Sequence, residues 1–229
     1  MIIGGLQKLS LIDYPEKVSA VVFTQGCLFR CPFCHNPELI PIGVDGQMSQ
    51  ETVLRFLQER KKFLDGVCIT GGEPTIHRDL PEFIKKIKQL GYSVKLDTAG
   101  VNPEMVEQLI ADKLIDYVAM DLKNSWPRYQ EIVRTANPNT IENCKKTFKL
   151  LQQSGIDHEF RTTVYPPVHT EQDFFEMVEQ LKSGERYFIQ NISYTKNLEP
   201  NIDRTKQLDV TGLVVKLKSS FPRVLIDQR

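Results

Sequence analysis

Apolar positions along the chain gather in short, nearly continuous runs, and segments of helical periodicity separate these runs. Runs of this kind, rich in Val, Ile, Phe and Tyr, predict strands. Because they are continuous rather than alternating, they are typical of parallel strands that helices cover. The six predicted strands are Ser19–Thr24, Val67–Thr70, Tyr92–Asp97, Tyr117–Lys123, His158–Val164 and Tyr187–Ile192.

Capping residues mark the ends of the helices between these strands. The starts are predicted at Asp79, Asn102 and Thr170, and two of the ends at Gly91 and Gly155. Six strand–helix units with short links favour one α/β domain over residues 1–229, either an open doubly wound sheet or a barrel. A complete eight-unit barrel usually needs about 250 residues, so six units would leave a barrel unclosed.

The two ends of the chain lie outside this regular pattern. Residues 1–17 form an N-terminal extension that is a short hairpin, a lid over one barrel edge or a simple lead-in to the first strand. Residues 18–192 form the predicted barrel core. The C-terminal segment, residues 193–229, is a last helix over 206–218 with a strand over 223–226, or a docking surface.

Charge and hydropathy narrow the class of protein. Lys and Arg together number 29, and so do Asp and Glu, so no global basic field attracts nucleic acid. No apolar stretch is long enough to span a bilayer, and the N-terminus lacks the features of a signal peptide. We therefore expect a cytoplasmic protein that binds neither nucleic acid nor membrane.

Three cysteines lie within eight residues as C-x-x-x-C-x-x-C, at Cys27, Cys31 and Cys34, directly after the first predicted strand. Structural zinc sites and ordinary iron–sulfur clusters take four protein ligands. A compact group of three predicts a metal centre with one position left open for chemistry. Cys68 and Cys144 lie far away in a predicted strand and a predicted helix, and we expect both to be core residues.

Further polar motifs follow the other strands. In parallel α/β folds, ligand sites gather at the carboxyl ends of the strands, so these motifs are expected to meet the cysteines there. They are the turn Gly71-Gly72-Glu73-Pro74 after the second strand, Asp97 and Thr98 at the end of the third, Asp121 and Lys123 at the end of the fourth, and Arg161 within the fifth.

Together these motifs resemble those of the radical S-adenosylmethionine enzymes, whose hallmark is a C-x-x-x-C-x-aromatic-C loop after the first strand and a Gly-Gly-Glu-Pro turn after the second. The Asp-x-Lys element at Asp121 is similar to that of the activating enzymes of glycyl-radical proteins. Within these, SLIDYP at residues 10–15, FTQGC at 23–27 and CHNP at 34–37 resemble the activating proteins of anaerobic ribonucleoside-triphosphate reductase.

The resemblance implies a partial (β/α)6 TIM-type barrel that carries a [4Fe–4S] cluster on Cys27, Cys31 and Cys34. S-adenosylmethionine would bind the fourth iron, and electron transfer would cleave it to methionine and a 5′-deoxyadenosyl radical. Gly71 and Gly72 would let the backbone approach the methionyl amino group. Pro74 completes this turn. Glu73 would accept from the ammonium or support the turn, and Phe33 would form an apolar wall for adenine.

The remaining polar residues are expected at the other end of S-adenosylmethionine. Lys123 and Arg161 are candidates to bind the methionyl carboxylate. Asp121 would bind a ribose hydroxyl or, with Asp97 and Thr98, a monovalent cation beside the carboxylate. The catalytic residues beyond these cofactor contacts are not assigned.

The resemblance also implies partners. The radical would remove hydrogen from a glycine Cα of a glycyl-radical protein, here the large subunit of the anaerobic ribonucleotide reductase. Flavodoxin or ferredoxin would supply the electron. The alternatives are a radical enzyme for a small molecule, similar to a deazapurine-forming synthase, and, from the cysteines alone, a thiol oxidoreductase, a c-type haem site or a non-enzymatic zinc or iron–sulfur module.

Overall fold

The computed structural model describes all residues, 1–229, and is built on one eight-stranded sheet. The strands are β1 (Ile3–Ser10), β2 (Ser19–Thr24), β3 (Gly66–Gly71), β4 (Ser93–Thr98), β5 (Tyr117–Asp121), β6 (Asp157–Thr163), β7 (Arg186–Gln190) and β8 (Leu225–Gln228). The helices are α1 (Gln50–Arg60), α2 (Leu80–Gln89), α3 (Pro103–Ala111), α4 (Tyr129–Val133), α5 (Asn139–Ser154), α6 (Glu171–Glu179) and α7 (Val210–Ser220).

Strand order in the sheet follows chain order from β1 to β8. The strands β2 to β8 pair in parallel with their neighbours, whereas β1 pairs antiparallel with β2. Because β1 and β8 each have one neighbour, the sheet stays open instead of closing into a full barrel. The predicted α/β class and partial barrel are confirmed.

All six predicted strands are present, with ends shifted by at most two residues. The sheet has one further strand at each edge, where the sequence left a strand as one of its alternatives. The N-terminal extension forms a hairpin with β2, which was one of its three interpretations. Near the C-terminus, α7 and β8 correspond to the interpretation of residues 193–229 as a last helix and a strand, although both lie two to four residues later than predicted. The four residues of β8 are half polar, so the apolar pattern that marks its ends is weak.

The capping residues define most helix ends as predicted. Thr170 and Asp173 form a reciprocal capping box at the start of α6, and the Asn102 side chain accepts from the Met105 backbone N–H. Gly155 ends α5 with φ of +73°, a left-handed conformation that favours glycine. Asp79 precedes α2, but its carboxylate accepts from Gln50 at 2.8 Å rather than from the helix backbone.

Side chains alternate between the two faces of the sheet, and the two faces differ in polarity. On β4, Val94 and Leu96 belong to the apolar core that includes Phe83 and Ile87 of α2. The opposite, inner face carries charged side chains, which include Lys95, Asp97, Asp121, Glu159 and Arg161. The fold thus provides a polar barrel interior. No helix combines the length and the apolar character needed to cross a membrane.

Candidate active site

The three clustered cysteines line one cavity of about 210 Å³ at the carboxyl ends of the strands. The loop that carries them follows β2, and the Cys34 N–H donates to the Cys31 carbonyl at 3.0 Å. Residues at and just after the carboxyl ends of β3, β4 and β5 complete the cavity wall, and they include Thr70, Gly71, Gly72, Asp97, Thr98, Ala99, Asp121 and Lys123. The structure therefore brings together the motifs that the sequence placed on successive strand ends.

The environment of the thiols disfavours free thiolates. Burial raises the pKa of Cys27 to about 11 and that of Cys31 to about 12. Repulsion from Glu73 and Cys34 also raises the pKa of Cys27, and repulsion from Cys27 and Cys34 raises that of Cys31. The ammonium of Lys123 lowers both pKa values. Bound metal would supply the positive charge that three thiolates need in this cavity.

The donor set fits a multi-iron cluster. The three thiols share one cavity and interact electrostatically, yet no group of three His, Cys, Asp or Glu side chains forms a site for a single ion. In a [4Fe–4S] cluster each thiolate binds a different iron, so the sulfurs do not need to converge on one atom. Cys68 and Cys144 are fully buried elsewhere, as expected.

The Gly71-Gly72 turn packs directly against the loop after β2. Gly71 has φ of +114°, and a Cβ atom there would overlap the backbone of Thr24. A Cβ atom on Gly72 would overlap the carbonyl oxygen of Gly26, which accepts from the Glu73 N–H at 2.8 Å. The two glycines are therefore needed to seat the turn beside the first cysteine.

The Glu73 side chain points into the protein, not into the cavity. It is fully buried, and one carboxylate oxygen accepts from the Thr75 hydroxyl at 2.6 Å and the Thr98 hydroxyl at 2.7 Å. The other oxygen accepts from the Ala99 N–H at 2.7 Å. These bonds join the turn after β3 to the end of β4, and Pro74 begins a short 3₁₀ turn beside them.

A line of five charged side chains crosses the inner face of the sheet. Arg161 Nε donates to Asp121 at 3.0 Å, and Arg161 Nη1 donates to Asp97 at 3.2 Å. Lys123 donates to the second oxygen of Asp121 at 2.8 Å, and Lys95 donates to Asp97. Burial raises the pKa of both carboxylic acids, but the neighbouring cations outweigh it and hold both pKa values below their usual range.

Phe33 forms the apolar side of the cavity. It is buried, and its ring packs against Tyr165 with centroids 5.6 Å apart. The Lys123 ammonium lies 5.9 Å from the Phe33 ring centroid, within the range of a cation–π contact. Phe33 and Lys123 thus face each other beside the thiols.

A larger cavity of about 700 Å³ adjoins the cysteine cavity, and His35 and Thr163 line both. Its walls are the loop of residues 11–16 and inner-face side chains of β4 and β6 to β8, namely Lys95, Arg161, Gln190 and, after β8, Arg229. Its size is in the range of ligand-binding sites. The barrel interior therefore opens from the thiols towards the N-terminal loop.

Sequence reasoning missed Lys95, which is 1% exposed and part of the charged line. A signal was available, because Lys95 and Asp97 are two residues apart on one strand and must share a face. It also missed the contacts between residues 196–199 and the cysteine loop, such as the Leu198 N–H that donates to the Cys34 carbonyl at 3.1 Å. No local pattern predicts that long-range contact.

Comparisons with known proteins agree with this site. The profile of the Radical SAM superfamily matches residues 21–181. A Methanocaldococcus jannaschii protein, named as a glycyl-radical enzyme activating enzyme, is 38% identical to this chain. The aligned region covers 82% of this chain and 79% of the relative's length. The pyruvate formate-lyase-activating enzyme of Listeria monocytogenes is 34% identical over 61% of this chain and 60% of its own.

Solved structures share the fold. Streptococcus suis SuiB bound to S-adenosylmethionine superposes with a TM-score of 0.69 at 17% identity, over 91% of this chain and 49% of SuiB. The enzyme anSMEcpe with bound S-adenosylmethionine gives a TM-score of 0.63 at 16% identity, over 89% of this chain and 61% of its own. The chain therefore belongs to the radical S-adenosylmethionine superfamily and, within it, to the activating enzymes of glycyl-radical proteins.

Proposed function

We propose that this enzyme generates a glycyl radical on the large subunit of an anaerobic ribonucleoside-triphosphate reductase. The observation that carries the proposal is the meeting of three thiols and a Gly-Gly turn in one cavity, which opens into the barrel interior. The choice of partner depends on the motifs SLIDYP, FTQGC and CHNP. Flavodoxin or ferredoxin is the electron donor in this proposal.

Cys27, Cys31 and Cys34 would hold a [4Fe–4S] cluster with one iron free of protein ligands. When bound, the cluster and S-adenosylmethionine supply the one-electron cleavage that yields a 5′-deoxyadenosyl radical. The protein contributes placement and exclusion of water. Cys31 and Phe33 are both less than a tenth exposed, which keeps solvent away from this side of the cavity.

Lys123 and Arg161 would bind the methionyl carboxylate of S-adenosylmethionine. An ammonium has three N–H donors and a guanidinium has five, so the contacts to Asp121 and Asp97 leave donors available on both cations. Because the carboxylates of Asp97 and Asp121 fix these cations, they need little reorganisation to accept a further anionic group. Phe33 would cover the adenine.

The other predicted contacts to S-adenosylmethionine depend on which groups still have hydrogen-bonding capacity. The backbone of Gly71 and Gly72 lines the cavity and would approach the methionyl ammonium. For Glu73 the buried hydrogen bonds favour support of the turn. Asp121 would bind the ribose, and a monovalent cation near Asp97 and Asp121 would have to share both carboxylates with Arg161.

The larger cavity offers a route for a polypeptide loop. Its lining is mostly polar, and it connects the thiol cavity with the loop of residues 11–16, whose Leu11 and Ile12 side chains are 70% and 86% exposed. Exposed apolar side chains at the mouth of a cavity are typical of a protein-interaction site. This supports a macromolecular substrate.

The test is paramagnetic resonance of glycyl radicals under anaerobic conditions. Reduced, cluster-loaded enzyme and S-adenosylmethionine are mixed with the reductase large subunit, with its radical-site Gly→Ala variant, or with pyruvate formate-lyase. We expect a glycyl doublet only with the intact reductase. A doublet only with pyruvate formate-lyase would overturn the choice of partner. Release of 5′-deoxyadenosine with no doublet on either protein would favour a small-molecule substrate.

A further inference from the structure

The segment of residues 193–199, which we call the strap, lies across the cysteine loop. It follows β7 and has no helix or strand of its own. The strap is far from the cysteines in sequence, since Asn197 and Phe33 are more than 160 positions apart. The strap is therefore a tertiary support for the loop and not part of the motif that carries the ligands.

Backbone groups of the strap bind the end of the loop that carries the third thiol. The Leu198 N–H donates to the Cys34 carbonyl at 3.1 Å, and the Glu199 N–H donates to the Pro32 carbonyl at 2.9 Å. On the other side of Cys34, the Lys196 carbonyl lies 3.0 Å from Nδ1 of His35. These contacts bracket Cys34.

One side chain completes the set. Asn197 Nδ2 donates to the Phe33 carbonyl at 3.1 Å and to the Ser193 carbonyl at 3.1 Å. Its amide therefore ties the loop residue before Cys34 to the chain that leaves β7. The cysteine loop has little regular structure of its own. Asn197 therefore connects it to the segment that directly follows β7 of the sheet.

We propose that Asn197 is a positioning residue for the cluster, because it fixes the backbone on which Cys34 presents its thiolate. The inference rests on the proposed function only in that a cluster is bound to the three cysteines. Groups that orient metal ligands through hydrogen bonds commonly change metal affinity about 10- to 100-fold when they are replaced. Asn197 does not touch the cluster ligands through its own side chain, so it acts through Phe33 and its peptide.

Asn197→Asp is the sharpest test, because it keeps the size of the side chain and removes both N–H donors. Asn201→Asp is the matched control, since Asn201 is exposed, lies four residues further on and receives the same added charge. Asn197→Gln keeps an amide donor on a longer side chain. Thermal melting of the metal-free proteins identifies any variant that has lost its fold.

The readouts are the rate at which an iron chelator removes the oxidised cluster and the paramagnetic-resonance spectrum of the reduced cluster. We expect roughly 10-fold faster cluster loss and altered g values in Asn197→Asp. Asn201→Asp should match the wild type, and Asn197→Gln should recover part of the difference. If Asn197→Asp keeps the wild-type rate and spectrum, the proposal is overturned. Neither readout needs the partner protein, so a failed activase assignment would leave this result unchanged.

Discussion

Asp121 and Arg161 are register partners on the adjacent strands β5 and β6, and their side chains meet at 3.0 Å between Oδ1 and Nε. The pairing places a guanidinium in the middle of the barrel, where it also reaches Asp97 on β4. Three strands thus share one largely buried charge cluster beside the cysteine cavity. Since removal of one charge leaves the others unpaired in a low dielectric, this cluster is expected to dominate the stability of the inner face.

Replacement of Arg161 by Met should therefore destabilise the metal-free protein by about 3 kcal/mol, because the buried Asp97 and the partly buried Asp121 lose a shared cation. Urea unfolding measures this change. The matched control is Arg186→Met, since Arg186 pairs with Asp157 at 2.9 Å across an exposed surface where such pairs contribute less than about 1 kcal/mol. Equal changes in the free energy of unfolding would show that Arg161 contributes no more to stability than an exposed arginine.

Glu73→Gln should cost about 2 kcal/mol in the free energy of unfolding. In one orientation the amide oxygen accepts from Thr75 and Thr98, and the NH₂ group then faces the Ala99 N–H without an acceptor. In the flipped orientation the oxygen accepts from Ala99, and the two threonine hydroxyls lose their acceptor. Glu82→Gln, on the exposed face of α2, is the control and should change stability by less than about 0.5 kcal/mol. A Glu73→Gln variant as stable as the control would refute the structural role assigned to this carboxylate.

Gly72→Ala should weaken both fold and cluster retention, because the new methyl group would overlap the Gly26 carbonyl and push the turn away from Cys27. We expect the free energy of unfolding to fall by about 3 kcal/mol and the iron content after reconstitution to be lower. Gly43→Ala provides a contrast, since Gly43 has open space around it and only its φ of +78° opposes a side chain. Full iron content in Gly72→Ala would mean that the turn does not need this close approach.

The stability of the metal-free protein should fall on acidification, in part through His169. Burial lowers the pKa of His169 to about 4 from 6.5, although the hydrogen bond between Nε2 and the Lys123 carbonyl favours the charged form. Nδ1 accepts from the Tyr165 N–H at 2.9 Å, which requires that this nitrogen carries no proton. The nearby Asp173 favours the charged imidazole and Arg128 opposes it. The unfolded chain thus binds more protons between these two pKa values, and stability decreases as pH falls through this window.

From pH 7 to pH 5 this single group should account for a loss on the order of 2 kcal/mol. The check compares the pH dependence of urea unfolding in the wild type with that of His169→Asn, whose amide oxygen can accept from Tyr165. The variant should show the smaller loss over this range. Identical slopes would mean that His169 is not held neutral in the fold.

The six strands β2 to β7 could be predicted from sequence because their apolar runs are continuous. The helix starts at Asn102 and Thr170 could also be predicted, because capping depends on neighbouring residues. The meeting of the cysteines with Gly71, Asp97 and Asp121 also followed, since parallel strands end at one edge. The C-terminal strand was placed two residues too early, because β8 is short and half polar and has no continuous apolar run to mark its ends.

Long-range pairing could not be predicted in the same way. Asp97, Asp121 and Arg161 were recognised singly from the sequence. Their pairing depends on strand register, which places Arg161 beside Asp121 and within reach of Asp97. The strap contacts depend on how the chain returns after β7, and Asn197 has no sequence neighbour that signals its role.

The most direct test of the account is the formation of 5′-deoxyadenosine from S-adenosylmethionine by the anaerobic, cluster-loaded and reduced enzyme in the presence of the proposed reductase partner. The wild type should release it, and so should Cys144→Ala, which removes a buried thiol outside the cavity. Cys34→Ala should release none, because the cluster would lose one of its three protein ligands. Equal release from Cys34→Ala and the wild type would contradict the assignment of the three cysteines as the cluster site.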